Sequence, residues 1–396
     1  MSAGSYLPPE IRNYIVDFLR DEPETLKQCC IASKSWVPRT RKHLFGTVII
    51  GQEHHLEAWK KTFPDLLESP AYHARTLFIG CPHAITTGDA EVGGWIRTFY
   101  NVVNLEVWTS LGLDDRDVSL VPFHNFTPIL KSLRVFTSSI PRSRILDLVC
   151  SLPLLEDLAV IDHTHIDGLG GSDWYQDGFQ PSTSPALTGT LELNLKRRME
   201  PTARLLLDLP NGLHFRKLVC RWEIEENVLW TRALVEACSD TLERVDLQVW
   251  NSASPSFPLR PGPQLNLVFA AARWNTSLDF SNTPRLKEVV FRVKTRSAVW
   301  MTLALETITP DHRDFHQITI HVPEYGPSIA NPTNLRKTFG ESFYNQWMDL
   351  DRLLVQLWES RGIRPKIVCQ VEENERGAAC EYIGCLFPEI MERGLI

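Results

Sequence analysis

The sequence predicts an α/β chain: an N-terminal helical module, then a curved solenoid of strand–helix repeats. Parallel strands are expected on the concave face and helices on the convex face. Two observations predict it. Residues 7–45, "LPPEIRNYIVDFLRDEPETLKQCCIASKSWVPRTRKHLF", combine proline helix starts with apolar residues at helical spacing. From Ala74 onward a short motif recurs: an apolar residue, two others, an apolar residue, one other, an apolar residue.

Taken in order, Pro8 and Pro9 suit a first helical turn, where no N–H donor is needed. Ile11, Ile15, Phe18 and Leu19 follow at i, i+4, i+7 and i+8 and share one face, with Arg12, Asn13 and Asp17 off it. The Asp21-Glu22-Pro23-Glu24 cluster ends this helix and starts a second at the positive end of its dipole. Leu26, Cys29, Cys30, Ser33 and Trp36 continue the second helix, which is expected to stop near Pro38; Leu44-Phe45 is a third apolar point.

The recurring motif appears as "VVNLEVW", "LKSLRVF", "LLEDLAV", "FRKLVC", "LERVDL", "LKEVVF" and "FHQITI". Its central apolar positions align as Leu77, Leu105, Leu133, Leu158, Leu191, Leu218, Val245, Val289 and Ile318. The steps are 28, 28, 25, 33, 27, 27, 44 and 29 residues, the two longest holding insertions. Helical patterns lie between, as in "SRILDLVCSLP", "VLWTRALVEACSD" and "VWMTLALETITP". One strand–helix unit cannot bury its apolar side alone, whereas stacked units share a continuous core. In each strand alternate residues point inward, such as Leu105 with Val107 and Leu133 with Val135.

On these residues the chain resembles known families. Leu7-Pro8, Glu10-Ile11, Ile15, Phe18-Leu19, Leu26 and "IASKSW" (Ile31 to Trp36) are similar to the F-box, with Ala32 where that family usually has valine. The repeats resemble the irregular leucine-rich repeats found behind an F-box, without the usual asparagine after the strand in "LEVWTS" and "LAVIDH". The whole chain resembles the expanded F-box family of mushroom-forming fungi, through "LTGTLELNLKRRMEP", "GLHFRKLVCRWE", "LVEACSDTLERVDL" and "DLDRLLVQLWESRGIRP". The resemblance implies a non-catalytic adaptor of a Skp–cullin–F-box ubiquitin ligase, with no cofactor. Its partners would be a Skp-type linker, through it a cullin, and an unknown protein substrate. Leu7, Pro8, Ile11, Ile15, Phe18, Leu19, Leu26, Ile31, Ala32 and Trp36 would contact the linker. The alternative is a ligase-independent binding scaffold whose N-terminal helices only cap the solenoid, as repeat domains require.

The other parity of each strand is expected on the concave, partner-binding face. It comprises Phe78, Glu106, Trp108, Arg134, Phe136, Glu192, Asn194, Arg221, Asp246, Gln248, Trp250, Arg292, Lys294 and His321. Trp, Phe and Arg are common interface anchors, though aromatics also pack under loops. A slip of one residue in any strand exchanges its two sets.

Composition narrows the function classes. The 396 residues are 43% apolar with a formal charge of −7, and the 41 basic residues are scattered, which favours neither nucleic acid nor an anionic membrane. No apolar run spans a bilayer, and residues 1–13 lack a basic patch followed by an apolar core, so no signal peptide is read. Nine cysteines, several within helix or strand patterns, fit reduced thiols in a cytoplasmic and/or nuclear protein. Cys380 and Cys385 are too far apart for the usual zinc pair.

Residues 161–185 depart most from the repeat texture. His163 and His165 have a spacing open to a metal, but the surrounding Gly, Ser and Pro argue for a polar insertion, either partner-contacting or inert. "GLGGSD" lacks the lysine and flanks of a phosphate loop, and no G-x-S-x-G, kinase or H-E-x-x-H signature occurs. Lys196, Arg197 and Arg198 read as a solvated edge. Trp347, Leu350, Leu354 and Leu357 mark a packed C-terminal helix. The expected organisation is a helical module over 1–46, a solenoid over 47–330 with an inserted loop near 161–186, and a helical and strand cap over 331–396.

Overall fold

The computed structural model describes residues 7–65, 68–80, 95–108, 120–126, 128–137, 142–162, 183–195, 199–222, 227–249, 278–293, 298–322, 336, 340–369 and 376–395. They fall into two compact units, Met1–Pro185 and Ala186–Ile396. This division differs from the expected boundaries after residues 46 and 330 and lies beside the expected insertion.

The first unit opens with three helices, α1 (Pro9–Phe18), α2 (Pro23–Ala32) and α3 (Val37–Leu44). Each carries a proline in its first turn, where a missing N–H costs nothing. The expectation that the second helix runs on to Pro38 is corrected. It ends at Ala32, because Ser33 is extended, and Pro38 instead starts a third helix. The carbonyl of Trp36 accepts from the Thr40 amide (3.1 Å) and the Thr40 hydroxyl (2.8 Å).

Five strands follow: β1 (Thr47–Ile50), β2 (Thr76–Ile79), β3 (Asn104–Trp108), β4 (Ser132–Thr137) and β5 (Asp157–Asp162). They pair in parallel in chain order. Parallel neighbours need crossovers. These contain α4 (Glu53–Thr62), 3₁₀ turns at Pro70–His73, Arg97–Phe99 and Val121–Phe126, and α5 (Arg142–Ser151). Rings of Phe45, Trp59, Phe63, Trp95 and Phe99 pack with centroids 5.1–6.1 Å apart, joining α3, α4 and the crossover before β3.

The second unit repeats the plan. Its parallel strands are β6 (Thr190–Asn194), β7 (Lys217–Trp222), β8 (Arg244–Val249), β9 (Glu288–Val293), β10 (Gln317–Val322) and β11 (Arg364–Cys369), paired in that order. Crossover helices are α6 (Met199–Leu207), α7 (Asn227–Ala237), α8 (Val299–Glu306) and α9 (Glu341–Arg361). The chain then forms α10 (Arg376–Leu386) and α11 (Pro388–Glu392). Gly362, with φ +70°, ends α9 in the left-handed conformation that glycine adopts freely. Trp347, Leu350, Leu354 and Leu357 are all buried, as their spacing predicts.

The motif of the sequence is the unit of packing. Within the first unit Leu77, Leu105, Leu133 and Leu158 are register partners, and within the second so are Leu191, Leu218, Val245, Val289 and Ile318. None of the nine exceeds 2% exposure. The motif's first apolar residue is buried at the turn into the strand, as with Val102, Leu130, Leu242 and Leu286. Val48 extends the first row through β1, which precedes the first copy of the motif. Pro365 stands opposite Ile318 in β11, so the last strand carries a proline, which is tolerated at a sheet edge.

A backbone device sets where each strand begins. One carbonyl accepts from two successive amides of the following repeat. Gly46 O accepts from Arg75 and Thr76, Arg75 O from Val103 and Asn104, Val103 O from Lys131 and Ser132, and Lys131 O from Glu156 and Asp157. In the second unit Gly189, Arg216, Glu243 and Lys287 do the same, all with N···O distances of 2.8–3.2 Å.

Inward and outward sets make opposite predictions. Leu133 has no exposure and Arg134 beside it is exposed. Leu133→Ala is expected to cost about 2–5 kcal/mol, as buried leucine truncations do. Arg134→Ala is expected to cost about 1 kcal/mol or less. Urea denaturation followed by circular dichroism checks the order, and a larger loss for Arg134→Ala would mean that β4 is inverted.

Candidate functional site

The N-terminal module is held together by small residues and one ionic cluster. Val16, Leu26 and Thr40 are its fully buried residues, one from each helix. Asp17 of α1 accepts two bonds from Arg39 of α3, Nε to Oδ1 at 2.7 Å and Nη2 to Oδ2 at 2.5 Å. His43 Nε2 also donates to Asp17 Oδ1 at 2.8 Å. The two-pronged geometry fixes the angle of α1 as well as its position. These bonds, Arg39's first, hold the Asp17 carboxyl well below the usual carboxylate range, and the same bond raises Arg39.

The consequence is a departure from the usual amphipathic rule. Helix α1 buries only Val16, half-buries Ile15, Asp17 and its C-cap Leu19, and leaves Ile11, Tyr14 and Phe18 to solvent. Phe18 is 79% exposed, Tyr14 71%, Ile11 49% and Leu7 47%, and Ile31 of α2 adds 78%. Of the residues expected at a linker contact, Leu7, Pro8, Ile11, Phe18, Ile31 and Ala32 are exposed, while Ile15, Leu19 and Trp36 are half-buried. Leu26 is a correction: at 1% exposure it holds the three helices together and offers no surface. Tyr14 was absent from the expected set, and its place at i+3 from Ile11 was the available signal.

The outward strand faces differ between the units. In the first unit the Trp108 and Phe136 rings stack at 4.1 Å, Phe78 lies 5.3 Å from Trp108, and Arg134 sits 5.9 Å over Phe136. Trp108 Nε1 donates to Glu106 at 2.7 Å. Phe136 is packed with Ala159 and Ile161 at 8% exposure, so it reinforces this face from within, a correction to its expected role as open surface. Ile49, 62% exposed and paired with Phe78, extends the face on a strand outside the expected set.

In the second unit the face is ionic. Arg221 pairs with Glu192 at 3.3 Å, and Arg292 holds Asp246 through three bonds of 3.0–3.3 Å. Asp246 is buried, so it too is corrected from contact residue to internal counter-charge. Asn194, Arg221, Gln248, Arg292 and His321 form one half-buried register row. Burial, then the Arg292 charge, pushes the His321 imidazole below its ordinary value. Trp250 and Lys294 lie outside the described residues, as do His163, His165, the "GLGGSD" stretch and Lys196, Arg197 and Arg198.

Among the described residues no group of three or more His, Cys, Asp and Glu is placed to hold a metal ion. Cys29, Cys30, Cys150, Cys220, Cys238 and Cys380 form no disulfide. Burial pushes the Cys150 thiol up to about 11 and Cys238 up to about 12, so both stay protonated at neutral pH. No described helix is long and apolar enough to cross a membrane. Compared with protein-family models and with curated proteins, the chain finds no match.

The Asp17 cluster sets a pH dependence. A carboxyl held below its unfolded value of 3.8 adds stability that is fully present above about pH 4 and lost as pH falls below it. Asp17 is partly exposed, so Asp17→Asn is expected to cost about 1 kcal/mol or less at neutral pH. Its thermal midpoint should also fall less steeply than that of the unaltered chain between about pH 5 and 3. Equal acid limbs would show that the cluster contributes nothing.

Proposed function

We propose that the chain is a non-catalytic substrate-recognition adaptor of a Skp–cullin–F-box ubiquitin ligase. The observation that carries this reading is α1, pinned by Asp17, Arg39 and His43 with Ile11, Tyr14 and Phe18 outward. A face rich in exposed Leu, Ile, Tyr and Phe fits a protein-docking role. Six of the ten F-box-like residues are exposed and available to a Skp-type linker: Leu7, Pro8, Ile11 and Phe18 in and just before α1, and Ile31 and Ala32 at the end of α2. The parallel strand repeats give a protein substrate two broad faces, one aromatic and one ionic. The adaptor supplies proximity: it raises the effective concentration of a substrate lysine near the ubiquitin-loaded enzyme and performs no chemistry itself. Free cysteines fit a reducing, cytoplasmic or nuclear compartment.

A second reading rests on the inner side of the same helices. Helix α3 packs on the Pro70–His73 turn, and Gly46 just after it supplies the first carbonyl of the strand-starting series. That is how a cap joins a repeat array, and in a ligase-independent scaffold it would be the module's whole role.

The two readings separate on one experiment. A Skp-type linker is expected to co-purify with the unaltered chain and to be lost with Ile11→Asp/Phe18→Asp. Both residues are exposed, so the double variant should keep its thermal midpoint. Retention of the linker by the folded variant, or failure of the unaltered chain to capture it, rejects the adaptor reading.

A further inference from the structure

The last strand of the second unit borders a groove of about 440 Å³, lined by His316, Gln317, Arg364, Pro365, Lys366, Ile367 and Leu395. Its volume lies within the ordinary range of binding clefts. No lining residue is acidic. Arg364 and Lys366 alternate with Pro365 and Ile367 along β11, so two cations share one side of the strand, beside Gln317 and Thr319 of β10. Arg364 Nε donates to the Leu395 carbonyl at 3.3 Å, a contact that holds the side chain without neutralising it. Lys366 is exposed and has no ion-pair partner among the described residues. The carboxylate in the same register row, Glu288, is two strands away and is held by Arg244 at 2.8 Å. Elsewhere on this face Arg221, Arg244 and Arg292 each have an acidic partner. Lys217 of β7, in the register row of Arg364, has no ion-pair partner among the described residues but stands alone, whereas Arg364 and Lys366 place two such cations side by side on one strand.

We infer that this groove takes an extended acidic segment of a partner protein, with carboxylates on Arg364 and Lys366, the two exposed cations of β11. The rest of the chain is net negative, so attraction of an acidic segment must be local to this groove. An extended strand matches the spacing of cations at alternate positions, since its own side chains on one side repeat at the same interval. Of the apolar lining residues Pro365 and Leu395 are buried and Ile367 is half-buried, so recognition rests on the two cations. The inference is independent of whether the N-terminal helices dock a linker, because it concerns a different unit.

The test uses the full chain and a fluorescein-labelled synthetic peptide of alternating Glu and Leu, read by fluorescence anisotropy, with a Lys–Leu peptide as comparison. Saturable binding of the Glu–Leu peptide alone is expected, weakening as NaCl rises from about 50 to 300 mM. Arg364→Glu/Lys366→Glu should weaken it about tenfold or more. The milder Lys366→Gln should weaken it partially, and Arg232→Glu, on α7 away from the groove, should leave it unchanged. Circular dichroism melts confirm that each variant is folded. The inference is overturned if both peptides bind alike or if the folded charge-reversed variant binds as well as the unaltered chain. It is also overturned if a uridine oligonucleotide binds more tightly than the Glu–Leu peptide, which would make the groove a nucleic-acid contact.

Discussion

One carbonyl that accepts two successive amides is the contact on which the other features depend. It recurs at Gly46, Arg75, Val103 and Lys131 in the first unit and at Gly189, Arg216, Glu243 and Lys287 in the second. Every strand so started has its first residue placed by the repeat before it. That placement decides which parity faces the core, because side chains in a strand alternate. The tie is made by a backbone oxygen, so the side chains at the junctions are free to vary. Arg75, Val103, Lys131 and Glu243 share nothing but the carbonyl.

The helical module obeys a different logic. Its buried residues are few and mostly small, so hydrophobic burial alone would hold α1 weakly. The Asp17 cluster supplies the missing constraint and does so from the polar side of the helix. Large apolar side chains are thereby left facing solvent. An amphipathic pattern in sequence says that a helix has an apolar face; it does not say whether the chain's own core or another molecule covers it.

Much of the repeat architecture was legible. The nine aligned apolar positions are register partners within each unit, since a buried position opposite another buried position tolerates little besides Leu, Val and Ile. Strands β1 and β11 were harder to read, because Thr47–Ile50 is apolar on both faces and β11 puts a proline where the pattern has leucine. The helix break at Ser33 was missed because apolar spacing carries through it to Trp36. The outward faces were legible only by parity. Parity places a side chain on a face, but its burial depends on the neighbouring strands, which is why Phe136 and Asp246 sit on the expected face yet are closed off. The Asp17–Arg39–His43 cluster spans 26 residues and had no periodic signal at all.

Pro365 bears on how this array can grow. A strand inside a parallel sheet uses amides on both sides, and a proline removes one of them. As the last strand, β11 needs only the side toward β10. An added repeat placed beyond β11 would turn it into an interior strand with a gap in its ladder. A copied repeat inserted between β6 and β10 would instead meet, on either side, a carbonyl and a pair of amides of the kind already present. Duplication, whether by recombination or by design, is therefore favoured among β6 to β10 and disfavoured beyond β11.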